Sequence, residues 1–96
     1  MALIFWTHQA IENLESIGEY IEKDSPKYAS ITLKRIYSTT QILINQPKAG
    51  KIVPEFEIEN IRELIEGRYR IVYRIVNSEQ VDILTIHHSS MILKSV

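Results

Sequence analysis

The sequence predicts an α+β domain over residues 1–96: an N-terminal strand, an antiparallel two-helix hairpin, then three antiparallel strands forming a twisted sheet packed against the helices. Three observations carry this. Between Ile61 and Ile75 apolar and charged residues alternate on both sides of Gly67, which is the two-residue period of a strand hairpin. Two earlier stretches each open on a capping residue and repeat apolar side chains every three or four positions. A short apolar run comes before them, and a second alternating run comes after.

Ala2 to Trp6 reads as the first strand, apolar on both faces and therefore expected to be buried. Thr7 is a suitable N-cap for a helix from His8 to Lys23, with Ile11, Leu14, Ile17 and Ile21 on its dry side and Glu12, Glu15, Glu19 and Glu22 on its wet side. Ser25 and Pro26 open a second helix, since Ser25 can accept a free amide and Pro26 has none to leave unsatisfied. Ala29, Leu33, Ile36, Thr40 and Leu43 keep helical spacing until Gln46, where Pro47 stops it. The tight turn between the two helices predicts an antiparallel pair.

Residues 47–54 contain two prolines and a glycine, so they read as the longest irregular segment. Glu55 to Asn60 reads as an extended approach to the hairpin. With Gly67 and Arg68 as a two-residue loop, Glu66 opposes Tyr69, Leu64 opposes Ile71 and Arg62 opposes Tyr73. Leu64, Tyr69, Ile71 and Tyr73 then share one face. Ile61, Glu63, Ile65, Arg70, Val72 and Arg74 share the other, with Glu63 diagonal to both arginines as in a charge ladder on a solvated face. On that reading Arg70→Ala changes stability by under about 1 kcal/mol.

Asn77-Ser78 is a turn, and Val81 to His87 is the last strand of a four-stranded sheet. An even loop places Val81, Ile83, Thr85 and His87 with the arginines, and Ile86 and His88 with the tyrosines. An odd loop exchanges the two sets, so the sequence leaves open which histidine joins Arg70. Ser89 to Val96 reads as a short tail of about one helical turn, whose Met91, Ile92 and Leu93 can pack down or meet a partner.

With 96 residues, 45% hydrophobic and 24% charged, the chain suits one core, and no apolar run approaches bilayer length. The start, Met-Ala-Leu-Ile-Phe-Trp, lacks the basic flank of a signal peptide, which makes a cytoplasmic protein the expectation. Absence of cysteine excludes disulfides and thiolate chemistry. His87 and His88 point to opposite faces of a strand and cannot grip one ion together, so neither metal nor other cofactor is expected. The formal net charge of −1 gives no global attraction to nucleic acid.

Residue by residue, the chain resembles the RelE/ParE superfamily of bacterial toxins. The likeness runs through Trp6-Thr7 with Ala10 and Leu14, Asp24-Ser25-Pro26 with Ala29, and Leu43 before Pro47 and Gly50. It continues through Val53-Pro54-Glu55, Ile61-Arg62-Glu63-Leu64, Tyr69-Arg70-Ile71-Val72-Tyr73-Arg74 and Ile83-Leu84 followed by His88. The resemblance implies a RelE-like fold and the toxin half of a type II toxin–antitoxin, or plasmid-stabilisation, module. It further implies a cognate antitoxin that forms a hetero-oligomer by laying a helix or strand along the toxin, with no part played by a membrane.

Two activities occur in the superfamily. One branch cleaves mRNA on the ribosome, which requires a base, a cationic donor and an acid around the scissile phosphate. Glu55, Arg70 and His88 or His87 match those roles, with Arg62, Arg74 and His87 as further phosphate or target contacts. The other branch inhibits DNA gyrase by protein contact. The Tyr-Arg-Ile-Val-Tyr-Arg run after Ile-Arg-Glu-Leu resembles this ParE branch more closely, and Met91 stands where the family often has an arginine. The slightly acidic chain also suits a phosphate-rich ribosomal target poorly. Gyrase inhibition is the expected activity, with RNA cleavage and a non-toxic binding module as the alternatives.

Overall fold

Thr7 organises the beginning of the fold. In the computed structural model, which describes residues 1–94, it follows β1 (Leu3–Trp6) and caps α1 (His8–Glu22). Its Oγ1 accepts the Ala10 amide at 3.2 Å and donates to the Ile83 carbonyl at 2.7 Å, so one hydroxyl starts the helix and ties it to the last strand. Ser25 Oγ accepts the Tyr28 amide at 3.0 Å and Pro26 takes the first helical position of α2 (Pro26–Thr40). The second helix stops short of the expected Gln46. Thr40 turns its hydroxyl back to the Tyr37 carbonyl at 2.6 Å, and the chain tightens into a 3-10 turn at Gln41–Ile44.

The remaining strands are β2 (Lys51–Ile52), β3 (Ile61–Glu66), β4 (Tyr69–Asn77) and β5 (Gln80–His88), in the spatial order β1-β5-β4-β3-β2. The β3–β4 hairpin forms in the expected register. Gly67 sits at φ 58°, a left-handed conformation that costs glycine nothing. The sheet has five strands where four were expected, because Lys51 and Ile52, within the segment read as irregular, pair with Glu63 and Arg62. It is also not antiparallel throughout. β1 runs parallel to β5, since the two are far apart in sequence and no short hairpin constrains their direction. As an edge strand it buries one face only: Leu3 is 78% and Phe5 51% exposed, contrary to the burial expected of both faces.

Both registers considered for the last strand hold, each over part of its length. Asn77 pairs with Gln80 but Ile75 with Val81, so Val76 is an extra residue; Tyr73 pairs with Ile83 but Val72 with Thr85, so Leu84 is another. Between these bulges Val81 and Ile83 join Ile75 and Tyr73 in the core under the helices. Beyond them His87 lies opposite Arg70, and His88 opposite Tyr69.

The main core lies between the helix pair and the sheet, where Ala10, Ile36 and Leu43 meet Ile71, Tyr73 and Ile86. At its edge the Tyr73 hydroxyl donates to the Pro47 carbonyl at 2.6 Å and accepts the Gly50 amide at 3.0 Å. Gly50 sits so close that a Cβ there would come within 2.5 Å of the Glu63 carbonyl oxygen.

The opposite face of the sheet is not the solvated ladder that the alternation suggested. Val53, Ile61, Val72 and Leu93 form a second, smaller core with Phe56 and Leu84 against it. Its cover is a turn and the tail. Phe56 and Glu57 donate their amides back to the Val53 carbonyl, so residues 53–57 coil where an extended approach was expected, and Glu57 ends the turn at φ 55°. The tail makes no helix through residue 94. Leu93 packs down, while Met91 and Ile92 remain exposed; Ser95 and Val96 lie outside the described residues. Among the described residues no helix is long and apolar enough to cross a membrane.

Candidate functional site

The second core is built around a charge. Strand alternation brings Arg70 to this face, beside Glu63 of the neighbouring strand, and the turn at residues 53–57 lowers Glu55 onto it from above. Arg70 Nε donates to Glu63 Oε1. Its Nη1 and Nη2 donate to the two oxygens of Glu55 at 2.6 and 2.8 Å, the two-pronged geometry of a guanidinium on a carboxylate. Nη1 also donates to the Met91 carbonyl at 3.1 Å. These four bonds occupy four of the five N–H groups that an arginine has.

The carboxylates are similarly engaged. Glu55 Oε2 accepts the Leu93 amide at 3.0 Å, so the same side chain holds both the arginine and the tail. Lys51 Nζ stands 3.8 Å from Glu63 Oε2. Arg70, and next the Leu93 amide, hold the Glu55 carboxyl down to about 2, and the guanidinium in turn is raised above its ordinary range, first by Glu55. Glu63 and Arg70 are both buried, at 3% and 7% exposure, so each charge is costly without its partners in place.

The histidines separate onto two sides. His87 faces the Arg70 side, and its Nε2 is buried with no hydrogen-bond partner among the described residues. Burial, and then the charge of Arg70, push its pKa down, which leaves it neutral near pH 7. His88 lies with Tyr69 on the side of the helices, edge to ring with centroids 6.1 Å apart, and its Nδ1 accepts the Ser90 amide at 3.2 Å.

Of the six residues proposed from the sequence, the structure joins Glu55 with Arg70 and places His87 nearby. His88, the alternative to His87 as third member of the proposed trio, projects from the other side of the strand. Arg62 turns away to the Gly50 and Glu59 carbonyls at 2.9 and 3.0 Å. Arg74, four residues along β4 from Arg70, is exposed opposite Asp82, with no ion pair among the described residues.

Sequence reasoning placed Glu63 in a surface ladder and missed its burial, along with Lys51 and the backbone groups of Met91 and Leu93. One signal was present: Ile61, Val72 and Leu84, large apolar residues on or next to the face assigned to solvent.

The comparisons with known proteins agree with this architecture. A curated relative, the candidate toxin Y4kP of Sinorhizobium fredii, is 39% identical over 88 residues, covering 90% of this chain and 86% of its own. A solved chain of the chromosomal ParDE toxin–antitoxin system from P. aeruginosa superposes with a TM-score of 0.75 at 23% identity, over 92% of this chain and 96% of that one, and so shares the fold. The profile of the ParE toxin of type II toxin–antitoxin systems (parDE) matches residues 4–93. By that match across nearly its whole length, the chain belongs to the ParE toxin family.

Proposed function

We propose that this toxin acts in the cytoplasm by binding DNA gyrase through protein contact, without cutting RNA, and that a cognate antitoxin neutralises it. The observation that supports the reading is the engagement of Arg70. A cation that stabilises a transferring phosphate must have donors free to meet the charge as it develops. Here four of the five donors are given to Glu55, Glu63 and the Met91 carbonyl. A carboxylate held down to about 2 is a poor general base near neutral pH, where an effective base has a pKa close to the working pH. Of the two histidines considered for the third role, His88 stands on the other side of the strand from Arg70, and His87, which lies opposite Arg70, has its Nε2 buried.

Parallel assays of the purified chain test the proposal. With gyrase and supercoiled DNA, the expected result is accumulation of cleaved DNA that depends on both proteins. With ribosomes and mRNA, the expected result is intact message. Message cutting together with unaffected gyrase would overturn the reading in favour of ribosome-dependent RNA cleavage.

A further inference from the structure

The five arginines of the chain divide by what neutralises them. Arg70 is enclosed by carboxylates and Arg62 is held by backbone carbonyls. Among the described residues Arg35, Arg68 and Arg74 make no ion pair and no side-chain hydrogen bond, and two of these three line one groove. It runs between α2 and the β3–β4 turn, with a volume of about 500 Å³. Ile21, half-buried, gives it an accessible apolar lining over the fully buried Ile36; Tyr28 and Tyr69 stand beside it, and Arg35 and Arg68 are exposed at its edge.

We propose that this groove is a docking site for a short acidic peptide segment carrying an apolar side chain. Tyrosine and arginine around an apolar centre are the residues that carry most binding energy at protein interfaces, because each combines large contact area with directed hydrogen bonding. Unpaired guanidiniums fix the sign of the partner: a carboxylate gains a two-pronged bond to either one. The apolar lining then takes the neighbouring side chain.

The charge around the groove also selects a peptide over nucleic acid. α2 carries Lys27, Lys34 and Arg35 and no acidic residue, whereas α1, which contributes Ile21, carries Glu12, Glu15, Glu19 and Glu22 and no lysine or arginine. Glu66 lies within the groove itself, accepting the Thr39 hydroxyl at 2.7 Å. A phosphate backbone, with a charge at every nucleotide, meets these glutamates on leaving the arginines. A segment with one or two carboxylates and an apolar anchor meets only Glu66, which the two arginines of the groove outnumber.

An array of 12-residue peptides permuting Leu and Phe with Asp and Glu, beside a matched array with Lys in place of every acidic residue, tests the site against the full chain. The expected result is retention on acidic peptides only, reduced at least tenfold in Arg35→Glu/Arg68→Glu and unchanged in Arg74→Glu. Retention that survives the double reversal, equal retention on the lysine array, no retention on any acidic peptide, or displacement by a single-stranded RNA oligonucleotide would each overturn the proposal. Both substituted arginines are exposed, so folding of the variant, checked by circular dichroism, is expected to persist. The readout involves neither growth nor gyrase, so acidic-peptide binding by a harmless chain would sustain this site while sinking the toxic mechanism.

Discussion

Arg70 shows how far the environment of one residue changes its meaning. On a solvated strand face its removal would cost little, because exposed ion pairs are screened and cost side-chain entropy to hold. Buried between Glu55 and Glu63, it neutralises a carboxylate that is only 3% exposed. Arg70→Met therefore leaves the Glu63 charge stranded, and is expected to lower unfolding free energy by about 3 kcal/mol, the lower end for breaking a buried pair because the cover is only a turn and a tail. Adding Glu63→Leu removes the stranded charge and is expected to recover most of the loss, since Glu55 keeps contact with water. Urea denaturation of the two variants checks both statements. Equal stability of Arg70→Met and the parent chain would return Arg70 to the surface.

Among the elements, those specified by neighbouring residues were legible in the sequence. Thr7, Ser25-Pro26 and Gly67 set two helix starts and a hairpin turn through bonds reaching only a few positions away. The elements that escaped are set by distant partners. β2 has only two residues and exists because Glu63 and Arg62 lie beside it. The bulges at Val76 and Leu84 satisfy the core and the turn together, which no local pattern encodes. The tail is the sharpest case, since three successive apolar residues give no sign of which one finds a pocket. Leu93, 7% exposed, is expected to cost about 2 kcal/mol on replacement by alanine, whereas Ile92→Asp, at a side chain 77% exposed, is expected to change stability by under about 0.5 kcal/mol. Thermal unfolding of the two variants distinguishes them. If Ile92→Asp also relieves growth arrest while the fold is intact, the exposed part of the tail belongs to the target surface; undiminished arrest excludes that role.

Across the whole molecule, the two faces of the sheet carry different kinds of core, and acid acts on one of them. His87 binds its proton more weakly in the folded chain than in the unfolded one, so stability is expected to fall as pH drops through about 6.5. The Glu55 contribution is fully present above its unfolded value of 4.5 and is lost as pH falls from there to about 2. Urea midpoints at about pH 7.5, 5.5 and 3 are expected to show both losses, the first of them absent in His87→Gln. Family membership was readable from the sequence because its motifs are runs of adjacent residues, spread from Trp6 to His88 in the expected order. The state of the site was not readable in the same way. Whether Arg70 is available to a phosphate depends on a turn and a tail that reach it from 15 and 21 residues away. That availability separates a protein-contact toxin from an RNA-cutting one, and the carboxyl titration of Glu55, followed by ¹³C NMR on the folded chain, reports it directly. A midpoint at about 2 is the result expected of a carboxylate locked to Arg70; a midpoint at the ordinary 4.5 would mean that the guanidinium is free, and would contradict the account.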